Sequence, residues 1–232
     1  MRLTHWMAAV LVLSLTTPAL AQEWENFVFV EERFSVNFPG QPQEENTTWI
    51  SQYGFELPAH VYSASRRGGS ERYSVTVVDY TGIEKLGEER FEQCPPGAEP
   101  CFGTQDGGTP PGNISGHGYW KMDVRGALAF ATLKFLQRDA TVTDYNLQFQ
   151  QVVEGYFLQL TNRDESRTFA YITMHENLLY VFEGTTPKGA PEPGLFQGSV
   201  GFVDANGESI RYSDYYSNAV HGLRQYEPPP LR

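Results

Sequence analysis

Between Tyr145 and Glu183 the chain runs through four apolar segments separated by turns too short for any crossover, and this constrains the fold more than any other feature. Tyr145, Leu147, Phe149 and Gln151 alternate with polar positions, and Tyr156–Thr161, Thr168–Met174 and Leu178–Glu183 follow as further strands. Parallel neighbours need a crossover of a dozen or more residues. Asn162–Glu165 and His175–Asn177 are short polar turns, so these strands must pair antiparallel.

The N-terminal half carries the same signal. Phe27–Val30 passes through the charged turn Glu31-Glu32-Arg33 into Phe34–Phe38, where Phe34, Val36 and Phe38 alternate with Ser35 and Asn37. Pro39-Gly40 ends that strand. Thr47–Tyr53, His60–Ser65 and Tyr73–Tyr80 read as further strands, the last rich in β-branched and aromatic residues. Two or three helices are expected. Residues 82–93 place Ile83 and Leu86 on one face, with Arg90 and Phe91 beside them. Residues 117–137 recur in apolar steps of three and four at Trp120, Val124, Ala127, Leu128, Ala131 and Phe135. Ser115 is its expected N-cap; Asp123 in its early turns and Arg138 at its end suit the helix dipole. Leu195–Val200 forms a short helix with Pro193 near its first turn. Asn206-Gly207 signals a type I′ hairpin turn between Phe202-Val203 and Ile210–Tyr212. No fixed-period repeat and no linker divides the chain, so the expectation is one α+β domain over 22–232. It carries a Gly/Pro-rich loop at 93–116 and a frayed tail at Pro228–Pro230.

Residues 1–21 read as a secretory signal peptide: Arg2, an apolar stretch from Trp6 to Leu15, Pro18, and Ala19-Leu20-Ala21 before the expected cleavage. The apolar stretch falls short of the about 20 residues a membrane span needs, so no stable membrane span is expected. The signal style suggests a periplasmic or secreted protein. Cys94 and Cys101 both follow it, and an oxidising compartment with an even count favours a disulfide closing CPPGAEPC. Such a link contributes about 2–3 kcal/mol. Free thiols are the alternative, and a redox pair is disfavoured because its two cysteines are normally only two residues apart.

With 17 Lys+Arg against 28 Asp+Glu, the formal charge is −11, which argues against a nucleic-acid partner that demands a basic face. Catalytic signatures do not emerge. Ser199, in Gln197-Gly198-Ser199-Val200-Gly201, lacks the first glycine of a nucleophile elbow, and Ser115 fails likewise. No two histidines have helical zinc spacing. His175 reads as a solvent-facing turn residue, and Asp204–Glu208 as a hairpin turn, since it lacks the carboxylates of a calcium loop. No dinucleotide or P-loop fingerprint is present, and no cofactor or metal is expected. Asn46 and Asn113 head glycosylation sequons that matter only in a glycosylating host.

The run Phe34-Ser35-Val36-Asn37-Phe38-Pro39-Gly40 with Pro42 resembles an opening of the form F-S-V-x-F-P-G-x-P in exported bacterial proteins of the Mog1/PsbP-like fold. Glu176–Val181 and Gly194–Ser199 likewise resemble segments of exported proteobacterial proteins, so the similarity is patchy over residues 24–212. It implies an antiparallel twisted sheet flanked by helices, an α/β/α sandwich, and a bias toward binding other proteins. It transfers no catalytic residue.

These readings converge on a soluble exported binding or accessory domain whose partner is another envelope protein or complex. The expected contact surface joins the 93–116 loop to the following helix start, with His117, Trp120, Asp123 and Arg125; Trp120 also fits the core. Tyr212, Tyr215 and Tyr216 beside Arg211 form a second aromatic cluster suited to an interface. Two alternatives stand: a periplasmic hydrolase with a cleft near His117, and a small-ligand carrier using the sheet and the loop as a pocket.

Overall fold

Two strands, β8 (Arg167–His175) and β9 (Leu178–Thr186), carry the most continuously buried runs of the chain, as strands covered on both faces must. The computed structural model describes residues 23–93 and 119–216. Around β8 and β9 stands a seven-stranded sheet completed by β3 (Gln43–Ile50), β4 (Glu56–Arg66), β5 (Glu71–Asp79), β6 (Ala140–Gln150) and β7 (Val153–Asn162). Its order is β3-β4-β5-β9-β8-β7-β6, antiparallel throughout. The chain lays down β3 to β5 and leaves the sheet. It returns at the far edge as β6 and meanders back until β9 closes against β5.

Helices α1 (Ile83–Glu92) and α2 (Tyr119–Leu136) cover one face. Val124, Ala127, Leu128, Ala131 and Phe135, the periodic positions, are buried there with Ile83, against Ala170, Ile172, Met174, Leu179 and Val181. Arg90 lies over the Phe55 ring and donates to the Tyr53 carbonyl at 2.8 Å, tying α1 to the β3–β4 connection.

The opposite face differs from the expected sandwich. It is covered by a second, three-stranded sheet of β1 (Trp24–Phe29), β2 (Phe34–Pro39) and β10 (Gly201–Phe202), with a single turn α3 (Gly194–Gln197), and not by a helical layer. The reason lies in β2, whose alternation gives a stripe of Phe34, Val36 and Phe38. That stripe buries against Tyr73, Val75, Tyr180 and Phe182. The Phe34 ring stands 5.7 Å from Tyr180 and 5.9 Å from Phe182, at edge-to-face angles. The α+β class and the antiparallel sheet hold.

Smaller differences concern turns. The strand expected over 47–53 ends at Ile50, because Ser51 turns the chain: its carbonyl accepts from Gly54 at 2.9 Å and its hydroxyl from the Phe55 amide at 3.0 Å. The type I′ turn expected at Asn206-Gly207 is instead a turn from Asp204 to Gly207 in which only Gly207 has positive φ. The Asp204 carboxylate accepts the Asn206 and Glu208 amides at 2.8 and 2.9 Å and sets this geometry. Two-residue turns with both central φ angles positive occur at Gln151-Val152 and Glu176-Asn177.

Candidate functional site

Of the residues expected to form a contact surface, His117 lies outside the described residues, as do Cys94 and Cys101. Trp120 and Asp123 fall in the first turns of α2, and Arg125 follows on its exposed side. The helix therefore brings three of the four positions to one end, with only Arg125 described as surface.

The reading of His175 is corrected. The two-residue turn at Glu176-Asn177 leaves His175 as the last residue of β8, paired with Leu178, and its side chain is 0% exposed. Its ring packs 4.4 Å from Phe202 and 4.8 Å from Tyr216, and its Nε2 lies 2.6 Å from the Tyr212 hydroxyl. Burial, then the positive charge of Arg33, holds its pKa down to about 4, so the ring is neutral at pH 7. Two of the three clustered tyrosines are thus anchors for the C-terminal segment. Tyr216 also donates its amide to the Val152 carbonyl at 2.9 Å. Tyr215 remains 70% exposed and packs on Phe149 at 4.6 Å.

That contact leads to the main surface feature. Strand β6 is an edge of the large sheet, and among the described residues nothing pairs with its outer side. Tyr145 (50% exposed), Leu147 (52%) and Phe149 (39%) share one face of it, with Val142 exposed before the register shift at 142–144. Tyr215 extends the row at one end, and the Tyr145 ring rests on Tyr156 at 5.7 Å. The alternation was plain in the sequence, but here it marks an exposed row. The main packing of α2 is over β7, β8 and β9. The opposite edge, β3, is also exposed but carries Glu44 and Glu45, charges of the kind that blunt an edge against pairing. Strand β6 has one charge, Asp144, in eleven residues.

A hydrogen-bonded cluster joins Glu32 to His60 and Tyr62, 28 and 30 residues further along the chain, a closeness that sequence spacing does not show. The Glu32 carboxylate sits 2.8 Å from His60 Nδ1 and accepts from the Tyr62 hydroxyl at 2.8 Å. The Tyr180 hydroxyl donates to the Glu32 backbone carbonyl at 2.7 Å. Burial and the Glu32 carboxylate push the Tyr62 hydroxyl far above its ordinary pKa, so it stays a donor. A cleft of about 210 Å³ opens beside the cluster, lined by Glu31, Glu32, His60 and Asp79. An imidazole oriented by a carboxylate can move a proton, but among the described residues no Ser, Thr or Cys lines this wall for it to activate. Its evident work is to fasten the β1–β2 turn to the sheet. Among the described residues, no group of three His, Cys, Asp or Glu is placed to hold a metal ion. No helix among them is long and apolar enough to cross a membrane.

No protein-family model matches the chain, and no curated protein matches its sequence. Among solved structures it is similar to the solution structure of cyanobacterial PsbP (CyanoP) from Synechocystis sp. PCC 6803. The identity is 13% and the TM-score 0.38, over 76% of this chain and 86% of that one. This is a weak resemblance, and the α+β architecture rests on the strand order and the two buried faces themselves.

Proposed function

We propose that this protein is an exported, non-catalytic binding module that engages a partner protein along β6. The observation that carries this is the row Tyr145-Leu147-Phe149 on an open edge strand. An edge presents unpaired backbone donors and acceptors to a strand from outside, and alternate side chains give specificity. Aromatic residues in such rows supply much of the energy of protein interfaces. A chain of net charge −11 has ample means to charge this edge, as it does β3, and β6 is left almost uncharged. The leader-like N-terminus supports export, which places the partner in the envelope or outside the cell.

A second copy of the chain is the specific alternative partner. The triplet is symmetric about Leu147, so two antiparallel β6 strands would set Leu147 against itself and Tyr145 against Phe149. Asp144 would then face Gln150 and not another acid. Site-specific photo-crosslinking in cells tests the reading. A photoreactive residue at 147 is expected to give a discrete adduct, and one at Thr47 on β3 is not. Adduct mass separates a foreign partner from a dimer. Absence of any adduct at 145, 147 and 149 would overturn the proposal.

A further inference from the structure

The helix-facing side of the sheet changes character halfway along its central strands. Under α2 it is apolar, with Val78, Leu179 and Val181. Beyond the end of α2 the same face presents Ser74 directly across from Glu183, and Arg72 across from Thr185. The polar rows continue sideways: Ser63 and then Gln43 beside Ser74, Ser65 beside Arg72, and Thr168 beside Thr185. Strands at the centre of a sheet normally carry apolar residues on a face that a helix layer covers. This polar field lies beyond that layer and spans five strands.

The field is concave. A cleft of about 490 Å³ lies over Gln43, Ser63, Arg72 and Ser74. A second, of about 340 Å³, adjoins it over Arg138, Asn162, Arg163 and Thr168, and both are walled by Arg72, Glu183 and Thr185. The lining holds three arginines and two carboxylates on a protein of charge −11. Two of the arginines are engaged. Arg138 grips Glu183 through both nitrogens at 2.6 and 2.9 Å, and Arg163 pairs with Asp139. Asp164 is occupied by Ser166, whose hydroxyl and amide donate to it at 2.6 and 3.1 Å. Arg72, at the shared wall, makes no ion pair within the described residues.

We infer that this trough binds an acidic saccharide, with its carboxylate on Arg72 and its hydroxyls on the Ser and Gln side chains of β3 to β5. A free guanidinium fork matches a carboxylate in two parallel hydrogen bonds. Hydroxyl and amide side chains both donate and accept, as sugar hydroxyls do. Apart from Ala64 and Tyr73, the residues lining the larger cleft carry hydroxyl, amide or charged side chains, which favours a polar ligand.

The test is calorimetric titration and thermal unfolding of the purified protein with trigalacturonate. Maltotriose serves as the uncharged control and inorganic phosphate as the plain anion. Trigalacturonate is expected to bind and to raise the melting temperature with concentration. Affinity should fall tenfold or more in Arg72→Gln, and in Ser65→Trp, which fills the trough from an exposed position. Leu147→Glu should bind like wild type, so failure at β6 and failure here are separate results. No binding, equal binding by Arg72→Gln, an equal response to maltotriose, or an equal response to phosphate would each overturn the assignment.

Discussion

His175 is a neutral imidazole sealed among Phe202, Tyr212 and Tyr216, and its Nδ1 has no partner. Its folded pKa, about 4, lies below the ordinary 6.5, so the unfolded chain takes up the proton first. The stability this contributes is complete above pH 6.5 and is lost as pH falls toward 4. The gap is worth at most about 3 kcal/mol. Denaturant unfolding at pH 7 and pH 4.5 should show His175→Phe losing less stability on acidification than wild type. Equal losses would contradict the account. At the β6–β7 turn, Val152 has φ of 63°, a region that β-branched residues avoid. Val152→Gly should raise the urea midpoint, by about 1 kcal/mol of stability, because glycine carries no penalty there. A lower midpoint would show that the Val152 side chain contributes more than its strain costs. Neither residue was legible from sequence. His175 stands beside two turn-forming residues, and its burial is decided by Phe202 and the tyrosines, 27 and more positions away.

At the scale of elements, periodicity identified which residues share a face. The steps from Val124 to Phe135 in α2, and Phe34-Val36-Phe38 in β2, are both buried as read. Phe135 and Leu136 are adjacent in α2 but about 100° apart around its axis, and they are 3% and 43% exposed. Phe135→Ala should cost about 3–5 kcal/mol and Leu136→Ala under about 1 kcal/mol in denaturant unfolding. Similar costs for the two would mean that α2 does not pack by this face. Periodicity does not say what lies over a face. Tyr145, Leu147 and Phe149 alternate as cleanly as the β2 residues, yet they are left uncovered because α2 sits over the neighbouring strands. The helices expected on both sides failed for the same reason: the β2 stripe and Phe196 already occupy the second face. The polar switch along β5 and β9 was hidden too, since Ser74, Arg72, Glu183 and Thr185 line up only through strand register.

The whole molecule is two cores pressed on one sheet. Strands β5, β8 and β9 send alternate residues to each, so neither core survives loss of the sheet. Calorimetry should therefore show Phe34→Ala, in the second core, lowering the same single transition that Phe135→Ala lowers in the first. Two separable transitions would contradict this coupling. Among the described residues, two surface features stand apart, the trough at Arg72 and the nearly uncharged edge at β6. The binding role rests on the second. Leu147→Glu puts a charge in the middle of that edge at a half-exposed position, so it should change stability by only about 0.5 kcal/mol. The most direct measurement is quantitative recovery of partners from the envelope fraction by the tagged protein, wild type against Leu147→Glu, with folding of both verified. A stoichiometric partner held by wild type and lost at least tenfold from Leu147→Glu is the predicted result. Equal recovery by the two proteins, or none by wild type, would contradict it.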